Sequence, residues 1–504
     1  MVFLGLLFVA CKESTITNTV IFPESDTSTS STDSGPNGQQ SLDDINIDRA
    51  LEHLAALQEI ASNHGGNRAA GTTGYDASVA YVVEVLEEAN YTVTQWPFSF
   101  SQYQILGDPE LSIGSELIQE ISVLYYSPGG TVEAPLAPVN LMIPPGNQPN
   151  ASNSGCSSSD FLGFPSGSIA LIQRGSCTFR EKVEFAQDAG ASAVIIFNEG
   201  QSGREDVLEG TLGEPQGLSI PVMGASYAVG AFLAQREGDV VTLSIDAVTG
   251  EVESVNVFAE RSVGDPSARI VVGAHLDSVF RGPGINDNGS GVASQLVLAE
   301  ELSAEGHVPA QRIQFAFWGA EELGLIGSSR YVSSLSDSER REILANLNFD
   351  MVASPNFARF IYDGDGSSFG TPGPNGSDLI EEEFQSFFEQ QNLPYEATAF
   401  DGRSDYGPFI MAGIPAGGLF TGAEGIKDAG QSIYGGNVGE PIDACYHLEC
   451  DSEDNINVTA LKEMMAAIFQ VTRWAAESDD LRSGKSTKSG RQIELDKKGC
   501  HDIR

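Results

Sequence analysis

The sequence predicts an α/β protein with a mostly parallel central sheet flanked by helices, interrupted by a β-rich insert. Three observations predict it. Apolar runs of strand length alternate with stretches of helical period, as in strands joined by crossover helices. Between residues 132 and 247 that alternation gives way to short apolar runs set among Gly, Pro and Ser. The composition, 41% hydrophobic and 19% charged over 504 residues, supplies a full core and excludes wholesale disorder. At roughly 150 residues per domain the length suggests about three domains, or one large domain carrying an inserted one.

The elements run in chain order. Met1 to Ala10 are apolar and run into Cys11. This is the pattern of a lipoprotein export signal, with Phe8-Val9-Ala10-Cys11 as cleavage box and Cys11 as the lipidated residue. Residues 12–41, rich in Thr, Ser, Asp, Gly and Gln, read as a flexible tether. The main α/β domain is assigned to 42–131 and 248–477. Near Leu42 a helix begins, with Ser41 as cap and Ile45, Ala50, Leu51, Leu54 and Leu57 at helical period. A second helix covers about 74–89 and buries Val79, Val82, Val83 and Leu86; a strand opens at Tyr91. Within the insert, 168–172 and 193–197 are buried-type strands with a helix over 179–189 between them. Alternation then resumes: a strand at 270–274, a helix around 292–303, a strand at 313–318 and a helix starting near Glu321. Further strands end at Asp350 and run over 414–419. Residues 478–504 form a polar, moderately basic tail. No stretch beyond the N-terminus approaches the roughly 18 apolar residues of a membrane helix.

Charge and cysteines narrow the function. Seventy acidic residues against 27 basic ones give −43. Such a field repels phosphate backbones and anionic lipid, which excludes nucleic acid as a partner and leaves a lipid on Cys11 as the route to a membrane. Most of the excess reads as a solvated acidic coat. Apart from Cys11, Cys156 and Cys177, then Cys445 and Cys450, lie at loop positions, with Cys500 left over. Two pairs fit two disulfides in an oxidising, extracytoplasmic compartment, for a chain either secreted or anchored at the envelope.

In open α/β sheets ligands bind beyond the carboxyl ends of the strands. There this sequence places His275 and Asp277, Asp287 in a Gly-rich loop, Glu321 and Glu322, Asp350, and His447. Carboxylates gathered at one rim repel unless cations sit among them. Two imidazoles with carboxylates suit zinc. Two zinc ions roughly 3.5–4 Å apart need one bridging carboxylate and about two terminal ligands each, which the set supplies with one Glu left to act as base. Singly the signals are weak: a lone His-x-Asp is more often a loop pair, and Glu-Glu at a helix start usually complements the dipole. His53, His64, His307 and His501 lie in ordinary helix or loop contexts.

Together the blocks resemble the co-catalytic two-zinc aminopeptidases, of the secreted bacterial leucine aminopeptidase type. They are Gly273-Ala-His-Leu-Asp-Ser, Gly284-Ile-Asn-Asp-Asn-Gly-Ser-Gly, Phe317-Trp-Gly-Ala-Glu-Glu-Leu-Gly-Leu-Ile-Gly-Ser, Asn348-Phe-Asp-Met and Cys445-Tyr-His. The resemblance, over roughly 42–475, implies a zinc exopeptidase fold and a substrate with a free N-terminus. It implies one zinc on His275 and Asp350, the other on Glu322 and His447, and Asp287 as bridge, through a cis peptide to Asn288. Asp277 would orient His275, Glu321 would be the general base, and Tyr446 would steady the oxyanion. Gly402 and Arg403 would meet the substrate ammonium through a backbone carbonyl. The Cys445–Cys450 link would hold the loop of Tyr446 and His447. Some secreted relatives bind calcium through acidic residues in the last helix; here that stretch reads Leu461-Lys-Glu-Met-Met-Ala, and no calcium is carried over. Within the insert, Gly167-Ser-Ile-Ala-Leu-Ile-Gln-Arg-Gly-Ser-Cys-Thr-Phe-Arg-Glu-Lys-Val and Ala189-Gly-Ala-Ser-Ala-Val resemble the protease-associated domain. That likeness implies a Cys156–Cys177 disulfide and a lid or docking module without catalytic residues.

The leading expectation is an exported zinc aminopeptidase releasing apolar N-terminal residues. A carboxypeptidase-like two-zinc enzyme is the alternative within the same chemistry. An inactive binding protein would be expected to have lost ligands, and a single-metal cyclase would not need the second metal pair.

Overall fold

The computed structural model describes residues 41–201, 203–213 and 217–484. The export signal with Cys11, the tether up to residue 40, and the tail from 485 with Cys500 lie outside the described residues. The chain divides into two compact units, 41–99 with 253–484 and 100–252.

The first unit is built on eight described strands: β1 (Thr92–Ile105), β2 (Ala247–Glu260), β3 (Asp265–His275), β4 (Gln311–Trp318), β5 (Ile343–Phe349), β6 (Phe360–Tyr362), β7 (Glu396–Thr398) and β8 (Ala416–Phe420). Their order is β1-β2-β4-β3-β5-β8-β6-β7. The centre, β4-β3-β5-β8, is parallel, and antiparallel pairs flank it at β2–β4 and β6–β8. Ile270, Val271 and Val272 are fully buried although successive side chains point to opposite faces, as in a strand covered on both sides. The expected α/β architecture is borne out.

Register places the functional residues. His275 pairs with Trp318, and Gly273 with Asn348, so β3, β4 and β5 end close to one level. The residues just past each of these strands therefore emerge at one rim of the sheet.

Two expectations shift. Ser41 caps only a single turn, Leu42–Asp44, and the first long helix is Ile47–Asn63, because the Asn46 side chain accepts the Arg49 amide and restarts the helix. No helix begins at Glu321. Residues 321–325 form a turn and the helix is Ile326–Ser334. Ala320 and Leu325 have φ of 57° and Gly324 has φ of 104°, conformations that cannot continue a right-handed helix. The alternative of a helix dipole for the Glu-Glu pair has no helix start to act on. The second helix, Thr73–Glu88, matches expectation, and Gly291–Ala304 is buried on almost every side.

The second unit carries its own eight-stranded sheet. Gly130–Pro138, Ile169–Gln173, Ala193–Phe197 and Val222–Ala225 run parallel. Glu110–Ile113 pairs antiparallel with Val240–Ile245, so residues upstream of 132 belong to this sheet. Composition does not reveal that: Glu110-Leu-Ser-Ile has a single fully buried residue, Leu111. Cys156 and Cys177 are disulfide-bonded. Among the described residues no helix is long and apolar enough to cross a membrane.

Candidate metal centre

His275 is the last residue of β3, Asp350 directly succeeds β5, and Glu321 and Glu322 lie in the turn of 321–325 beyond β4. Asp287 lies in the irregular segment Ile285–Ser290, and its peptide bond to Asn288 is cis. Asn288 ties that segment to the end of β5: Nδ2 donates to the Phe349 carbonyl at 2.9 Å, and Oδ1 accepts from the Met351 amide at 3.3 Å. His447 comes from the loop closed by the Cys445–Cys450 disulfide.

The side chains converge as two pairs about one carboxylate. Asp287 Oδ1 is 3.1 Å from His275 Nε2, and Asp287 Oδ2 is 3.1 Å from His447 Nε2. Each imidazole has a second carboxylate: Asp350 Oδ1 at 3.3 Å from His275 and Glu322 Oε2 at 3.0 Å from His447. Donor atoms of His275, Glu321 and Asp350 lie within 4.8 Å of one another, as do those of His275, Asp287 and Glu322. His275 Nε2, Glu322 Oε1 and Asp350 Oδ1 are buried and have no hydrogen-bond partner among the described residues. Buried polar atoms are rarely left so. Nitrogen and oxygen donors aimed at common points fit borderline divalent cations such as zinc.

The electrostatics agree. Burial opposes charge on His275, but Asp350 and Glu321 outweigh it and raise the imidazole well above its usual value. Burial opposes charge on His447 too, and Asp287 and Glu322 carry it up to about 10. Burial pushes Glu322 up to about 7, with Asp287 adding and His447 opposing. Glu321 is driven well above the carboxylate range by burial, with Asp405 and Glu322 adding and His275 opposing. For Asp287 burial is overridden by the two imidazoles, which hold it below the usual range. This is an anionic pocket that draws positive charge onto its imidazoles, and metal ions compete for the same positions.

Asp277 is buried beside His275 and acts with two different groups. Its main-chain carbonyl is 3.1 Å from His275 Nδ1, while its carboxylate accepts the amides of Glu321 at 3.1 Å and Glu322 at 3.3 Å. The turn bearing both glutamates thus hangs on Asp277. Tyr446 stacks on His447 with ring centroids 3.8 Å apart. Its Oη accepts from Arg403 Nη2 at 3.1 Å, and Arg403 also pairs with Glu424 at 3.0 Å. The Gly402 amide donates to Tyr406 Oη at 3.0 Å. The loop holding Gly402 and Arg403 is joined to the metal rim by Ser404, whose Oγ donates to Asp350 Oδ2 at 2.6 Å.

Residues 256–472 match the model of peptidase family M28, and residues 132–233 that of the PA domain. An aminopeptidase of Pseudomonas aeruginosa is 44% identical over 466 residues, covering 90% of this chain and 86% of its own length. The chain belongs to peptidase family M28. A probable lipoprotein aminopeptidase of Mycobacterium tuberculosis, LpqL, is 41% identical over 424 residues, 83% of this M28 chain and 82% of its own. Among solved structures, a zinc aminopeptidase of Bacillus subtilis superposes with a TM-score of 0.60 at 26% identity, over 86% of this chain and 96% of its own. The inserted PA domain is borne out as well.

Three residues of this M28 peptidase escaped sequence reasoning. Ser404 directly follows Gly402 and Arg403, the two residues of that loop that the resemblance marks. Asp451, 2% exposed, stands immediately after Cys450. Arg68, fully buried, lies in a loop between two helices, and no motif or periodicity marks it.

Proposed function

We propose that this M28 peptidase is a two-zinc aminopeptidase that acts outside the cytoplasm and removes apolar N-terminal residues from peptides. The observation that carries the reading is the Asp287 carboxylate, one oxygen facing each of two imidazoles that each have a further carboxylate. His275 and Asp350 would hold one zinc, His447 and Glu322 the other, with Asp287 shared. Zinc, when bound, polarises a scissile carbonyl and acidifies water.

The chain's own residues do the rest. Glu321, held by Asp277 through its amide, takes the proton from water and passes it to the leaving amine. Tyr446 offers its hydroxyl to the developing oxyanion, and Arg403 fixes that hydroxyl from the other side. The Gly402–Arg403 backbone and Glu321 receive the substrate ammonium. Every residue named here belongs to the unit of 41–99 and 253–484, so the reading places no catalytic residue in the PA insert. The names of both relatives support aminopeptidase activity, and the Bacillus structure supports zinc. The two disulfides support an extracytoplasmic enzyme, secreted or lipid-anchored, and the name of LpqL supports a lipid on Cys11.

Free and N-acetylated leucine peptides test the reading. Stepwise release of leucine from the free peptide alone, abolished by a chelator and accompanied by two zinc ions per chain, is expected. Cleavage of the acetylated peptide from its C-terminus would instead establish the carboxypeptidase-like alternative.

A further inference from the structure

The segment that carries Asp287 is gripped from two sides by buried charges outside the ligand set. Arg68 Nε donates to the Pro283 carbonyl at 2.9 Å, Nη2 to the Gly284 carbonyl at 2.7 Å, and Nη1 to the Leu276 carbonyl. The main chain of Arg68 is fastened as well: its amide donates to Ser278 Oγ at 2.9 Å and its carbonyl accepts the Ser278 amide at 3.3 Å. One side chain therefore spans the loop after His275 and the loop leading into Asp287.

Asp451 holds the same segment by its amides. Its carboxylate accepts Asn286 N at 2.8 Å and Asp287 N at 3.0 Å, and its carbonyl accepts Ile285 N at 3.1 Å. It stands one residue beyond Cys450, so it also joins this segment to the loop carrying His447. Asn455 Nδ2 donates to Asp451 Oδ1 at 3.1 Å and steadies it. The division is complementary, with a guanidinium donating to the carbonyls and a carboxyl group accepting from the amides. Irregular buried backbone has no ladder to satisfy these groups, so side chains must do so. Burial lowers the Arg68 guanidinium to about 10, and the carboxylates of Asp277, Asp451, Asp287 and Glu322 oppose that shift.

We propose that Arg68 and Asp451 are a matched pair of positioning residues for metal binding, fixing the 283–287 backbone so that Asp287 presents one oxygen to each imidazole. The proposal rests on the two-zinc reading of the site.

The test measures zinc affinity, by competition with a chromogenic chelator, for the full chain, Arg68→Lys, Asp451→Asn and the double variant. Melting of the zinc-free proteins is measured in parallel. Lysine keeps the charge but loses the planar fork, and asparagine keeps the shape but sets an NH2 group against a backbone amide. Each variant is expected to bind zinc about 10–100-fold more weakly. The double variant should lose less than the product of the two, since both act on one segment. Affinity within about twofold of wild type in folded Arg68→Lys overturns the proposal, as does a loss seen only in zinc-free melting. If Asp451→Asn does not fold, Arg68→Lys decides. A wild-type chain that binds no zinc overturns the metal reading and this proposal together, whereas tight wild-type binding with unaltered variants overturns only the proposal.

Discussion

Asp277 sets its main-chain carbonyl 3.1 Å and its carboxylate Oδ1 3.7 Å from His275 Nδ1, and that carboxylate accepts the amides of Glu321 and Glu322 at 3.1 and 3.3 Å. Its side chain thereby sets the turn that carries Glu321, the proposed general base, and Glu322, a proposed zinc ligand. Asp277→Asn retains one acceptor oxygen and turns an NH2 group toward a backbone N–H, so the turn must shift. The expected result is a fall of about 10–100-fold in kcat on leucine anilide, with KM much less affected. An unchanged kcat would show that the carbonyl is the only part of Asp277 that matters.

Glu321 belongs to neither imidazole pair yet lies within 4.8 Å of His275 and Asp350 donors. Glu321→Gln preserves its size and removes the basic oxygen. Turnover should drop by about 10²–10⁴-fold while zinc content stays at the wild-type value. Loss of zinc in that variant would make Glu321 a ligand rather than a base.

The Cys445–Cys450 ring closes only five residues of sequence separation, and so short a loop restrains the unfolded chain little. Its effect should fall on the placement of Tyr446 and His447. Cys445→Ser with Cys450→Ser is expected to lower kcat and zinc affinity while moving the melting temperature of the zinc-free chain by only a few degrees. A large loss of zinc-free stability with normal kinetics would contradict the positional role.

Outside the proposed ligand set, Glu381 is 5% exposed, and burial pushes its carboxyl up to about 7 against the Asp365 amide that donates to it. A carboxyl whose pKa is higher folded than unfolded holds its proton more tightly in the folded state. Between about pH 4.5 and 7 the folded chain then binds more protons, so stability declines as pH rises through that window. Zinc-free protein should melt at a lower temperature at pH 8 than at pH 5. In Glu381→Gln, which cannot ionise, that slope should be shallower. Equal slopes in the two proteins would assign the pH effect elsewhere.

Much of the fold and site was readable in the amino-acid sequence, because the relevant signals are local. Alternating apolar runs and helical periods predicted the parallel sheet, and strand-end positions singled out His275, Asp287, Glu322, Asp350 and His447 before any distance was known. The convergence of His275, Glu322 and Asp350 is a consequence of register: once β3, β4 and β5 end together, the residues at and just after their ends share a rim. Tertiary structure alone decided the rest. Asp277 faces a turn 44 residues away, Arg68 reaches a carbonyl 215 residues away, and Ser404 reaches a ligand 54 residues back. The start of the insert's sheet at Glu110 depends on pairing with residues beyond 240. Such contacts leave no periodic trace, since periodicity reports only which face of its own element a residue occupies. Sequence thus singled out the side chains proposed to carry the chemistry, and long-range hydrogen bonding of buried irregular backbone determined what holds them in place.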